Sequence, residues 1–140
     1  MEKMFIVPGE PRGKGRPRFS THTGRTYTDS ETRAYEDKIV AYYRKSCGGF
    51  RFQDSAFVSV DIVAYLPIPK SATKEQQAAM ESMKVLPSRK PDTDNIAKAV
   101  LDALNGVAYK DDARVVDIRT RKYYGAVPGL AITIKEVIPE

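Results

Sequence analysis

The chain has 140 residues, 41% of them apolar, with 9 prolines, 9 glycines and a formal charge of +5. That length and composition suit one compact domain with its own core, and the single cysteine, Cys47, excludes an intrachain disulfide and a cysteine-rich zinc site while fitting a reducing cytoplasm. No apolar run is long enough to span a bilayer and Met1 to Val7 lacks the length and flanks of a signal peptide, so a soluble cytoplasmic protein with an anionic partner and no membrane association is expected.

In chain order, Phe5 to Val7 reads as a short strand. The segment "PRGKGRPRFSTHTGR" then carries Arg12, Lys14, Arg16, Arg18 and Arg25 without one acid, and Pro11, Gly13, Gly15 and Pro17 break any periodicity, which predicts a loop. Cations spaced in this way, with Phe19 and Tyr27 nearby, can follow a phosphate backbone; the plainer account is a solvated arm. The glycine spacing of a Walker A loop is missing, and His22, the only histidine, has no second His or Cys with which to share a metal. Residues 29–46 predict a helix capped by Asp29 or Ser30, with Ala34, Ile39, Val40 and Tyr43 at helical spacing and Gly48-Gly49 ending it.

Residues 57–69, "FVSVDIVAYLPIP", alternate with Val58, Val60, Ile62 and Ala64 on one side, a strand stopped by its prolines. Residues 71–83 permit a weakly amphipathic helix outside the core, and "LPSRKP" is an exposed connector. A strongly amphipathic helix follows in "KPDTDNIAKAVLDALNGVAYKDD". Ile96, Val100 and Leu104 form its apolar side with Ala97 and Leu101 beside them, while Asp94, Lys98 and Asp102 stack on another face. Thr93 or Asp94 is the expected N-cap, and Asn105-Gly106 the stop. After "VAYK", Asp111 and Asp112 open two period-two runs joined at Gly-Ala-Val-Pro-Gly, which predicts an antiparallel hairpin. In extended backbone only one aspartate of that pair can face the preceding helix. The sum is a single α+β domain over residues 1–140, a mixed or antiparallel sheet packed with about two main helices.

Carboxylates gathered in this manner repel by about 4 kcal/mol per pair at ~4 Å in an effective dielectric of about 20. A hard divalent cation offsets that repulsion and gives oxygen-only ligation a purpose; magnesium can then activate a water against a phosphodiester, while the bases hold phosphate. The same residues admit a plainer account, with Asp94 a cap, Asp92 a turn residue, Asp102 an ion-pair partner of Lys98 and "KDD" a turn. An EF-hand starting at Asp92 fails, because Ala97 and Ala103 occupy its glycine and glutamate positions. An aspartyl nucleophile in "DTD" lacks the buried strand that should precede it.

"KPDTDNIAKAVLDALNGVAYKDDARVVDIR" resembles the signature of RusA-type Holliday-junction resolvases: D-x-D-N-x-x-K, then D-A-L, a short connection and D-D-x-x-V. The likeness extends more loosely to "GKGRPRF", "TRAYEDKI" and the C-terminal strands. It implies a RusA-like, two-fold homodimeric endonuclease, bacterial or phage-encoded, that cuts branched DNA at four-way junctions by paired symmetric nicks. It implies Mg²⁺, with Mn²⁺ as a substitute, on Asp92, Asp94 and Asp112, Lys98 as the essential lysine, and Asp102, Asp111 and Asn95 in support. Phosphate contacts are expected from Lys14, Arg16 and Arg18, and from Arg89 or Lys90, since Pro91 stands where some members have arginine. A binding module without nuclease activity, or a less structure-selective nuclease, is the alternative.

Overall fold

The computed structural model describes residues 1–15, 18–27 and 29–139, with Arg18 and Tyr27 described by their backbone alone. Strand β1 (Glu2–Pro8) leads into the arm, whose short strands β2 (Arg18–Phe19) and β3 (Thr26–Tyr27) pair antiparallel. The basic segment is therefore not wholly loop: Ser20 N–H donates to Arg25 C=O, and Gly24 takes the positive φ of 66° that the turn requires. Helix α1 (Ser30–Cys47) follows, capped by Asp29, whose carboxylate accepts the Thr32 N–H. Its buried residues are Thr32, Tyr35, Ile39 and Tyr43; Ala34, expected inside, is exposed, so the buried stripe is set by the tyrosines.

Strand β4 (Phe57–Pro67), helix α2 (Lys74–Glu81), helix α3 (Thr93–Leu104), a 3₁₀ turn (Asp112–Arg114), β5 (Val115–Gly125) and β6 (Gly129–Val137) complete the domain. Helix α2 carries a full capping box at Thr73 and Gln76 but buries no residue, as an excursion should.

The four-stranded sheet has the order β1-β6-β4-β5, with β4 parallel to β5 and antiparallel to β6. The expected hairpin of the two C-terminal strands does not form: β4 lies between them. Gly125 pairs with Pro67 and Gly129 with Tyr65, so residues 126–128 cross the end of β4. Two strand spacings are about 10 Å, and a link of three residues can reach that at ~3.3 Å per residue, so a short glycine-flanked turn is equally compatible with either topology. The parallel pair needs a long crossover, which α2, α3 and their connections supply.

One face of the sheet carries the core. Val58, Val60, Ile62, Ala64 and Leu66 of β4 meet Leu130, Ile132 and Ile134 of β6 and Phe5 and Val7 of β1, all buried. Tyr35, Ile39 and Tyr43 of α1 and Ile96, Val100 and Leu104 of α3 close over them. Phe5 and Tyr43 stack edge to face at 5.3 Å, and the Tyr43 hydroxyl donates to Phe50 C=O at 2.7 Å. Burial pushes that hydroxyl's pKa up to about 12.

Candidate active site

Helix α3 owes its amphipathicity to Ile96, Ala99, Val100, Ala103 and Leu104, which are buried; the flank beside the apolar stripe is Ala99 and Ala103, while Ala97 and Leu101 stay half-buried at the rim of a cavity. Its N-cap is Asp92, one residue earlier than expected, in extended backbone at φ −74° and ψ 153°. The Asp92 carboxylate makes no cap hydrogen bond, so its oxygens remain for other partners; Lys90 Nζ stands 3.9 Å away. At the other end Asn105 is the C-cap and Gly106, at φ 75°, turns the chain.

The return to the sheet is pinned from below. Tyr109 is buried and its hydroxyl donates to Leu101 C=O at 2.9 Å, while Ala108 C=O accepts the Phe52 N–H. The tight connection therefore lies under α3 and delivers Asp111 and Asp112 beside it. The sequence led to an extended strand here, but these two open a 3₁₀ turn. Asp111 caps that turn, its carboxylate accepting the Ala113 N–H at 2.7 Å. Asp112 C=O accepts the Val115 N–H, but its carboxylate accepts no hydrogen bond from described residues and lines the cavity.

That cavity, about 420 Å³, is bounded by Thr93, Asp94, Ala97, Lys98, Leu101 and Asp102 of α3, Asp112 of the turn, and Ile118 and Thr120 of β5. Asp94 and Asp112, eighteen positions apart in the chain, meet here with Lys98 and Asp102. Asp92 opens instead on a neighbouring groove with Pro91, Lys90, Asn95 and the arm. Among the described residues no three carboxylates, histidines or cysteines enclose a common point. The expected closed cluster of Asp92, Asp94 and Asp112 is thus divided between two adjoining cavities. The reason is local: residues two apart at a helix start do not project to one side.

The donors nonetheless suit a hard divalent cation. They are oxygens on exposed side chains, and neither Asp92 nor Asp112 commits its carboxylate to a cap. Magnesium is held by one or two carboxylates, water and substrate phosphate more often than by an all-protein cage.

The cations are placed less as expected. Lys14 turns inward, its Nζ 2.6 Å from Glu36 of α1 and 3.2 Å from Asp102 of α3, with its side chain only 12% exposed. Burial lowers the Lys14 pKa, but hydrogen bonds and charge from Glu36 and Asp102 prevail and raise it above the ordinary lysine value. The Lys14 N–H also donates to Asn95 C=O at 2.9 Å. The arm can lie so close because Gly13 and Gly15 lack side chains: a Cβ on Gly13 would stand 2.8 Å from Asn95 Cβ, and one on Gly15 2.6 Å from Thr32 Oγ1. Residues 11–15 are therefore a brace between α1 and the first turn of α3. Asn95 C=O ties the arm to α3, and Asp102 is shared between Lys14 and, at 3.9 Å, Lys98.

Arg89 donates to Pro67 C=O at 3.0 Å and stands 3.6 Å from Glu10, which holds it to the fold, whereas Lys90 is exposed. Arg16 lies outside the described residues, and nothing is described of the Arg18 side chain. Glu36 and Lys122 were not singled out from sequence. For Lys122 a signal exists: the alternation Ile118, Thr120, Lys122, Tyr124 puts a lysine on the helix-covered side of β5.

Acidic side chains lining a cavity, with exposed lysines beside them on a basic α+β domain, are the equipment of a protein that acts on phosphodiesters. The family model for endodeoxyribonuclease RusA matches residues 8–135, and the chain belongs to that family. It is thus a nuclease of the Holliday-junction-resolving class, which acts on branched DNA. It is also 37% identical over 136 residues, 95% of each chain, to an uncharacterized protein of Bacillus subtilis (strain 168), YqaN. Among the described residues no helix is long and apolar enough to cross a membrane.

Proposed function

We propose that the chain resolves four-way junctions by Mg²⁺-dependent hydrolysis, as a two-fold homodimer that places one site on each of two symmetry-related strands. The observation that carries this reading is the convergence of Asp94 and Asp112 on one cavity with Lys98 at its rim. Asp94 and Asp112 would hold the cation, with Asp92 offering oxygens from the adjoining groove. Bound there, Mg²⁺ would supply acidity to a water and positive charge to the scissile phosphate.

The protein's own groups do the rest. Lys98, 62% exposed and tethered by Asp102, offers its ammonium to the charge developing on the phosphate. Lys90 grips the backbone near Asp92, with Arg16 and Arg18 on the arm as further phosphate contacts. Lys14 and Arg89, held by protein partners, shape the site and contact DNA less. Tyr43, fully buried, takes no part in a dimer contact.

The test is a labelled synthetic four-way junction incubated with Mg²⁺ and scored for symmetric nicks, with linear duplex as the control. Asp94→Asn and Asp112→Asn should each abolish cleavage while leaving junction binding intact. Unchanged cleavage by either variant rejects the site, and cleavage of duplex as fast as junction rejects the junction preference. Sedimentation at assay concentration should give a dimer.

A further inference from the structure

Strand β5 does more than wall the cavity. Its covered side presents Ile118 and Thr120 to the space shared by Asp94 and Asp112, and Lys122 comes next on that side, paired in register with Ala64 of β4. Lys122 does not reach into the cavity. Its Nζ donates to two main-chain carbonyls, Arg89 C=O at 2.9 Å and Pro91 C=O at 3.1 Å. Among the described residues no carboxylate lies within ion-pair distance of it. A half-buried ammonium satisfied only by carbonyls of the connector is a clamp on that connector, and Pro91 is the residue immediately before Asp92.

We propose that Lys122 is a positioning residue for the carboxylate site: by holding the carbonyls of Arg89 and Pro91 it sets where Asp92 stands relative to Asp94 and Asp112. The inference rests on the reading of Asp92 as a cation ligand. Its physical basis is that one rigid strand ties down both halves of the site. The 3₁₀ turn bearing Asp112 runs directly into the start of β5, and the lead-in to Asp92 is fastened to the same strand at Lys122. Without that fastening Asp92 depends on the exposed part of the connector, which Arg89 holds through Pro67 C=O and Glu10. Groups that orient a metal ligand from behind typically change metal affinity by about 10–100-fold when removed.

The experiment compares the full-length wild type with Lys122→Met, Lys122→Arg and Asp92→Asn, using Mn²⁺ binding followed by electron paramagnetic resonance without DNA, and junction cleavage as a function of Mg²⁺. Lys122→Met should weaken Mn²⁺ binding about tenfold and raise the half-saturating Mg²⁺ by a similar factor, with the rate recovered at saturating Mg²⁺. Lys122→Arg, which keeps donors for both carbonyls, should restore most of the affinity. If Lys122→Met only lowers thermal stability, with Mn²⁺ affinity unchanged while Asp92→Asn loses it, the positioning role is overturned and the site stands. If Asp92→Asn also binds Mn²⁺ like the wild type, Asp92 is not a ligand and this inference is overturned, while the reading of Asp94 and Asp112 stands or falls on their own variants. Should Lys122→Met prove poorly folded by circular dichroism, Lys122→Gln, with one amide donor, gives the decision: intermediate affinity supports the clamp and wild-type affinity overturns it.

Discussion

Lys14→Met separates two roles for the inward-turned lysine of the arm. The Nζ lies 2.6 Å from Glu36 and 3.2 Å from Asp102, with the three side chains 12%, 19% and 25% exposed. Exposed pairs contribute about 0–1 kcal/mol, and breaking a fully buried pair costs about 3–5 kcal/mol. This triad lies between, and two charge-assisted hydrogen bonds at about 1.5 kcal/mol each bring the expected loss to about 3 kcal/mol. For a domain of this size that is a fall in Tm of roughly 10 °C, at about 3–4 °C per kcal/mol. The melt is followed by circular dichroism, with Glu36→Gln, Asp102→Asn and the double variants closing the cycles. Junction affinity against salt supplies the second readout. A lysine on a phosphate contributes about 0.9 to the slope of log K against log salt, and an internal lysine contributes almost nothing. The expected result is a large thermal loss with the slope unchanged. A slope reduced by about 0.9 with Tm unaltered would refute the brace and return Lys14 to the DNA surface.

Because the Lys14 pKa is raised on folding, its contribution to stability is complete below the ordinary lysine value of 10.5 and is lost as pH climbs through the higher folded value; the Tm gap between wild type and Lys14→Met should therefore shrink above that pH. Gly13→Ala forces its new methyl against Asn95 and Pro91, and should cost about 1–3 kcal/mol and slow cleavage by lifting the brace off α3, measured by melt and junction assay together. The aspartate pair should separate cleanly: Asp111→Ala loses about 1 kcal/mol of cap stability with cleavage retained, whereas Asp112→Asn leaves the melt unchanged and stops cleavage. Tyr109→Phe removes the bond to Leu101 C=O and should cost about 1 kcal/mol with a modest loss of rate, since the turn carrying Asp112 loosens.

Much of this was legible in the chain itself. The period of 3.6 in α3 and of two in β4 follows from where apolar side chains must go, so the main helices and strands, the stripe of Asp94, Lys98 and Asp102, and the nearness of one of Asp111 and Asp112 to α3 could be read from spacing; that this one is Asp112 came from the family resemblance alone. Short-range chemistry was legible too, as in the cap at Asp29.

What spacing could not decide was who stands next to whom. A glycine-flanked turn of three residues serves a hairpin or a step across β4 equally well, and only competition for the centre of the sheet, won by the apolar β4, settled it. The same holds for charge. A run of lysines and arginines looks uniform in sequence because each cation has the same local neighbours. Tertiary structure turned Lys14 toward Glu36 and Asp102, fastened Lys122 to the lead-in of Asp92 and left Lys90 in solvent. Ion pairs depend on distance through space, which the chain alone does not record.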